Sequence, residues 1–134
     1  MQKQSYNVIG VMSGTSLDGV DLAHLVLTLS NNKWNFHIYE AETTPYDEDW
    51  VTTLKSAVNF SKPELDELNR NYTKLLAGRI SDFIERHQIV NIDAVCSHGH
   101  TILHNPAEKY TLQIGNLAEI ANLLGQKVVC DFRV

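Results

Sequence analysis

The sequence predicts an α/β fold: a mixed sheet with an antiparallel three-strand meander, followed by helices and parallel strands. Three observations point there. Short apolar or alternating runs follow one another closely from residue 6 to residue 43. A long helical repeat then fills residues 61–87. Beyond it, short apolar runs return in alternation with a second helical pattern, the order that layers helices on a sheet.

Residues 6–12 are short and apolar and read as a first strand. Residues 20–29 are apolar on both faces, as a central strand is. Ser30-Asn31-Asn32 is a turn signal. Residues 34–43 alternate, which predicts Trp34, Phe36, Ile38 and Glu40 on one side of a third strand. The short connections make these three strands a meander. Residues 47–58 predict a helix, with Asp47, Glu48 and Asp49 as a solvated first turn that complements the helix dipole. Ser61-Lys62-Pro63-Glu64 is a capping box with proline in the first turn. Leu65, Leu68, Tyr72, Leu75, Leu76, Ile80, Phe83 and Ile84 then recur at helical spacing and read as core. After this helix, residues 92–97 predict a buried strand, 98–106 a loop or short hairpin, and 110–114 a strand. Residues 116–124 predict a helix with Asn116 as N-cap and Gly125 as C-terminal stop. Residues 127–132 predict a last strand.

At 134 residues the chain is long enough for one domain with a real core. A hydrophobic content of 43% and a mean hydropathy of −0.20 suit a soluble globular chain, and no apolar run is long enough to span a bilayer. The first five residues are polar and do not read as a leader. With a net charge of −5, a pI of about 5.6 and no basic patch, neither nucleic acid nor an anionic membrane is an expected partner. Cys96 and Cys130 lie inside apolar runs and read as buried thiols of a cytoplasmic protein rather than as a disulfide.

The chemistry concentrates in the loop between the first two strands. Gly14 and Gly19 permit positive φ and close approach of a ligand to the backbone. Ser13, Thr15 and Ser16 offer hydroxyls beside successive N–H groups, a concave seat for a phosphate. Asp18 and Asp21 could hold Mg²⁺, directly or through water. This is not a Walker loop, because no Lys or Arg lies between Lys3 and Lys33. Residue chemistry alone leaves two readings open, a plain hairpin turn or a phosphate seat. A second cluster is His98, His100 and His104. In an extended segment His98 and His100 would share a side, a candidate metal pair, although no further ligands are evident nearby. The alternative for that segment is substrate contact at the carboxyl end of a strand.

The string from Gly10 to Asp21 resembles the N-terminal signature of the anhydro-N-acetylmuramic acid kinase family. Ser97-His98-Gly99-His100-Thr101, Leu112-Gln113-Ile114-Gly115-Asn116 and Val129-Cys130-Asp131-Phe132-Arg133 resemble further stretches of that family, in the same order. The resemblance implies the RNase H-like first domain of the sugar kinase and actin-like ATPase superfamily. It implies an enzyme that uses ATP and Mg²⁺ to open 1,6-anhydro-N-acetylmuramic acid with water and phosphorylate the freed 6-oxygen, in recycling of the cell wall. It places Gly14, Thr15, Ser16, Leu17, Asp18, Gly19, Val20 and Asp21 at ATP, with Asp18 and Asp21 on the metal. It places Ser97, His98, Thr101 and Arg133 at the amino sugar. Met12 stands where the wider superfamily often carries an aspartate. The family's general base is expected just beyond Val134, which leaves Asp131 as the candidate within the chain. Residues 1–134 are therefore expected to be the N-terminal part of the kinase, inactive alone, with a homodimer as a further expectation. Two other classes remain: a non-catalytic actin-like half that binds a nucleotide or a partner, and a small metal hydrolase built on the histidines.

Overall fold

Strand β1 (Ser5–Ser13) lies at the centre of the sheet in the computed structural model, which describes residues 4–105, 107 and 110–132. On one side β1 pairs antiparallel with β2 (Gly19–Ser30), which pairs antiparallel with β3 (Lys33–Pro45). On the other side it pairs in parallel with β4 (Ala94–Asn105), Val8 opposite Ala94. The crossover from β3 to β4 carries α1 (Glu48–Ser56), a single 3-10 turn (Ala57–Asn59) and α2 (Lys62–Arg86). The far edge of β4 is shared. Its first half pairs in parallel with β6 (Val128–Val129), and its second half pairs antiparallel with β5 (Tyr110–Ile114). Helix α3 (Glu119–Leu124) joins β5 to β6. The expected meander and later parallel strands are thus present in one mixed α/β sheet.

Helix α2 starts where its sequence says it should. Ser61 Oγ accepts from the Glu64 amide, and Glu64 Oε1 accepts from the Ser61 amide at 3.0 Å, with Pro63 in the first turn. Its apolar stripe, Tyr72, Leu76, Ile80 and Phe83, covers one face of the sheet formed by Ile9, Val11, Val20, Leu22, Val95 and Ile114. Ile80 and Phe83 are fully buried, each contributing about 1.5–3 kcal/mol by transfer from water. Asn7 locks the crossover at its other end. Its amide donates to Asp93 Oδ2 at 2.7 Å, and its side-chain amide donates to the carbonyls of Val90 and Asn91.

Among the described residues, the opposite face of the sheet carries no helix. Trp34, Phe36 and Ile38 of β3 stand 58%, 69% and 49% exposed there. Glu40 does not join them, contrary to the alternation. A bulge at Tyr39 separates the pairs Leu25↔Ile38 and His24↔Glu40, so Glu40 crosses to the helix face. There it lies 3.7 Å from His87 Nδ1, while Glu42 takes the Arg86 guanidinium, which holds its carboxyl down at about 2.

Four element boundaries differ from expectation. Of the two readings of 98–106, the hairpin is the one present over the described residues: β4 runs on past Ser97 to Asn105, because β5 supplies it with an antiparallel partner. Helix α3 begins at Glu119, not at Asn116. The Asn116 side chain instead donates to the His98 carbonyl, and Ala118 caps the helix without a side-chain bond. The last strand is only Val128–Val129, since Asp131 turns into the left-handed region at φ 62°. The first helix stops at Ser56 and tightens into the 3-10 turn.

Candidate functional site

The loop 14–18 sits at the carboxyl end of the central strand. Its own turn is closed by the Leu17 amide donating to the Gly14 carbonyl at 3.2 Å, with Leu17 at φ 61°. The loop then enters β2 through Gly19, which pairs with Pro45. A Cβ at Gly19 would fall 2.8 Å from Pro45 Cα and against the Thr44 carbonyl, so only glycine lets β2 start this close to β3. Thr15, Ser16 and Asp18 are exposed on the loop.

The other end of the loop is fixed from below. Ser13 does not offer its hydroxyl to the loop, as the sequence suggested; it turns into the core. Ser13 Oγ lies 2.6 Å from Tyr46 OH and 2.9 Å from His100 Nδ1, and Tyr46 OH lies 2.5 Å from Tyr72 OH. These four residues are 4%, 8%, 3% and 0% exposed in the order Ser13, Tyr46, His100, Tyr72. Hydrogen accounting orients the chain. Tyr72 donates to Tyr46, Tyr46 to Ser13 and Ser13 to Nδ1, which uses every hydroxyl proton and makes His100 the Nε2–H tautomer. Burial, with a smaller contribution from His98, pushes His100 down to about 4. Burial likewise pushes both tyrosines up, so the network is neutral at physiological pH.

The open face of the sheet carries a cleft of about 640 Å³, lined by Gly10, Met12, Asp21, Ala23, Thr43, Cys96, His98 and Phe132 among others; Met12 and Asp21 flank the loop in sequence, but no residue of 14–18 lines the cleft. Asp21 Oδ1 accepts from Thr43 Oγ1 at 2.5 Å, which fixes this carboxylate at the cleft wall. Across from it, His98 Nδ1 faces the Gly99 carbonyl at 3.3 Å. The Gln113 amide reaches the His98 ring at 3.4 Å and donates to Thr101 Oγ1 at 3.2 Å. Gln113 therefore ties the two residues together.

His98 and His100 do not share a side. Gly99 adopts φ 76° and forms a bulge, so Ser97 pairs with Val11 but His100 pairs with Ser13. A Cβ at Gly99 would lie 2.6 Å from the Ile114 carbonyl, which reserves the position for glycine. The bulge sends His98 to the cleft and His100 into the core, and it removes the metal pair. The His104 side chain lies outside the described residues, as does Arg133. Ser97 is fully buried, and its hydroxyl has no partner among the described residues. Asp131 is exposed and lies 3.8 Å from Cys130 Sγ; its neighbour Phe132 is the residue that lines the cleft. Cys96 and Cys130 are free thiols, half-buried rather than fully buried, and burial raises both.

A smaller pocket of about 190 Å³ lies on the helix side of the loop, where Thr15, His100 and Thr101 meet Lys55 of α1. The loop thus has a cation nearby in space that the sequence places far away. Tyr46, Tyr72, Gln113 and Lys55 are the site residues that sequence reasoning did not select.

The sequence profile of anhydro-N-acetylmuramic acid kinase matches residues 6–134. The chain belongs to the anhydro-N-acetylmuramic acid kinase family. Proteins of that name from Paramagnetospirillum magneticum and Mannheimia succiniciproducens are each 37% identical to it, over 127 and 140 residues, covering 93% and 99% of this chain. One from Pseudoalteromonas translucida is 34% identical over 149 residues and covers 98%. The chain spans 35–36% of the length of these curated relatives. Asp18 and Asp21 offer carboxylate oxygens, and Mg²⁺ at kinase sites takes one or two carboxylates plus phosphate oxygens. Among the described residues no three His, Cys, Asp or Glu side chains gather into an all-protein metal cluster. No helix among them is long and apolar enough to cross a membrane.

Proposed function

We propose that this chain is the N-terminal, ATP-binding part of a cytoplasmic kinase that opens 1,6-anhydro-N-acetylmuramic acid and phosphorylates its 6-oxygen. The observation that carries the reading is the loop 14–18, pinned at both ends at the carboxyl end of the central strand, in a chain of this kinase family.

The residues divide by chemistry. Gly14 to Asp21 seat the phosphates: backbone N–H groups of a shaped turn supply donors without a basic residue in the loop. Asp18 and Asp21 would hold Mg²⁺, which supplies the counter-charge that phosphoryl transfer needs. His98, at the cleft wall, and Thr101, joined to it by Gln113, bind the sugar, and Arg133 joins them on the family resemblance alone. Ser97, being fully buried, supports the end of β4 rather than contacting the sugar. The carboxylate that activates water lies outside Asp131, which is exposed and does not line the cleft. Neither nucleic acid nor a membrane is a partner in this reading. The exposed Trp34–Phe36–Ile38 face supports self-association into a homodimer.

The test is to supply the full-length protein with ATP, Mg²⁺ and 1,6-anhydro-N-acetylmuramic acid and to look for the 6-phosphate by mass spectrometry. Sustained formation is expected. ATP binding without sugar phosphorylation would instead favour a non-catalytic nucleotide-binding role.

A further inference from the structure

We infer that Tyr46, Tyr72 and His100 are positioning residues that hold the loop 14–18 in its ligand-ready shape, acting through the Ser13 hydroxyl. The inference rests on the reading of that loop as the phosphate seat. Both feet of the loop stand on one short segment. Gly19 is packed against the backbone of Thr44 and Pro45, and Ser13 is hydrogen-bonded to the next residue, Tyr46. Tyr46 is fixed in turn by Tyr72 from the middle of α2, and Ser13 by His100 from β4. One buried point thus joins both strands that lead to the site, the end of β3 and the long helix.

The arrangement is costly unless complete. Each of its four polar groups is at least nine-tenths buried, and a buried hydroxyl left without a partner loses its solvation with no return. Apolar residues would pack this volume without that risk. Polar groups in this place give direction: Ser13 has one satisfied rotamer, so the backbone leaving β1 has one exit angle. A phosphate seat made of backbone donors depends on that angle, since misplacement by about 1 Å weakens every contact at once.

The imidazole has two nitrogens, and only Nδ1 faces Ser13. Asparagine places a polar atom near the Nδ1 position, glutamine near the Nε2 position, and leucine fills the volume without either. The experiment compares His100→Asn, His100→Gln, His100→Leu and Tyr72→Phe. Hydrogen exchange of the Leu17 amide, which closes the loop turn, is measured without ligand, and kcat and KM for ATP are measured in the full-length protein. The Leu17 amide should exchange about tenfold faster in the Leu and Gln variants, with KM for ATP rising in parallel and KM for the sugar unchanged. His100→Asn should stay within about threefold of the parent, and Tyr72→Phe should fall between. If the Leu variant does not fold, the contrast between Asn and Gln decides. Equal effects of Asn and Gln, or an unchanged Leu17 amide throughout, would overturn the inference. A parent that fails to phosphorylate the sugar would sink the proposed activity, yet the ligand-free exchange readout would still stand.

Discussion

His100 should make the stability of the chain depend on acid in a way that one substitution abolishes. The folded imidazole is held neutral, its pKa pushed from 6.5 to about 4 by burial beside Ser13, with His98 adding to the effect. The unfolded imidazole returns to its ordinary value. Between the two values the unfolded chain binds a proton that the folded chain refuses, so stability is full above 6.5 and falls as pH falls towards 4. The linkage amounts to about 2 kcal/mol at pH 5 and about 3 kcal/mol at pH 4. His100→Asn has no group that titrates there. Its unfolding free energy by urea titration, compared with that of the parent, should therefore improve by about 2 kcal/mol between pH 8 and pH 5, whatever its offset at pH 8. Other groups, such as His24 and Glu42, are present in both proteins and cancel in the comparison. Parallel pH profiles for the two proteins would refute the reasoning. They would mean that His100 reaches water or a carboxylate when folded, and that Ser13 does not face a neutral ring.

Gly19→Ala should cost about 1–3 kcal/mol and lower Tm by roughly 5–10 °C, because its Cβ meets the backbone of Thr44 and Pro45; an unchanged melting curve would show that β2 can start elsewhere. In the full-length protein Asp18→Ala should lower kcat by about tenfold or more while leaving sugar binding intact, and near-normal turnover at saturating Mg²⁺ would remove Asp18 from the metal. Residues 1–134 alone should show no multiple turnover, since losing the orientation supplied by a closed site forfeits about 7–11 kcal/mol. The same chain should bind the dye ANS on its open sheet face, and substitution of Trp34 and Phe36 by serine should reduce the fluorescence.

What could be read from the sequence was local. The period of 3.6 from Leu65 to Ile84 and the Ser61–Glu64 box specify α2, since each signal is complete within a turn or two of chain. The three strands of the meander were legible for the same reason: their partners lie a short turn away. The loop 14–19 was legible as a turn, and its likeness to a family carried the rest. Two bulges were not legible. Tyr39 and Gly99 each shift the register by one residue, and a shift by one reverses every later side chain, which is why Glu40 and His100 ended on faces that alternation did not give them. The network beneath the loop was hidden by distance along the chain. Its members stand at 13, 46, 72 and 100, and no window contains two of them. Tyr72 read as core from its spacing, and it is core, yet spacing says nothing about where its hydroxyl goes. That hydroxyl is the one clue available beforehand. A tyrosine placed in the buried stripe of a helix must find a polar partner. The nearest supply of such partners in a sheet fold is the strand ends that the helix covers. Asking what satisfies Tyr72 leads to those ends, where Tyr46 and Ser13 stand, and from Ser13 to the loop itself.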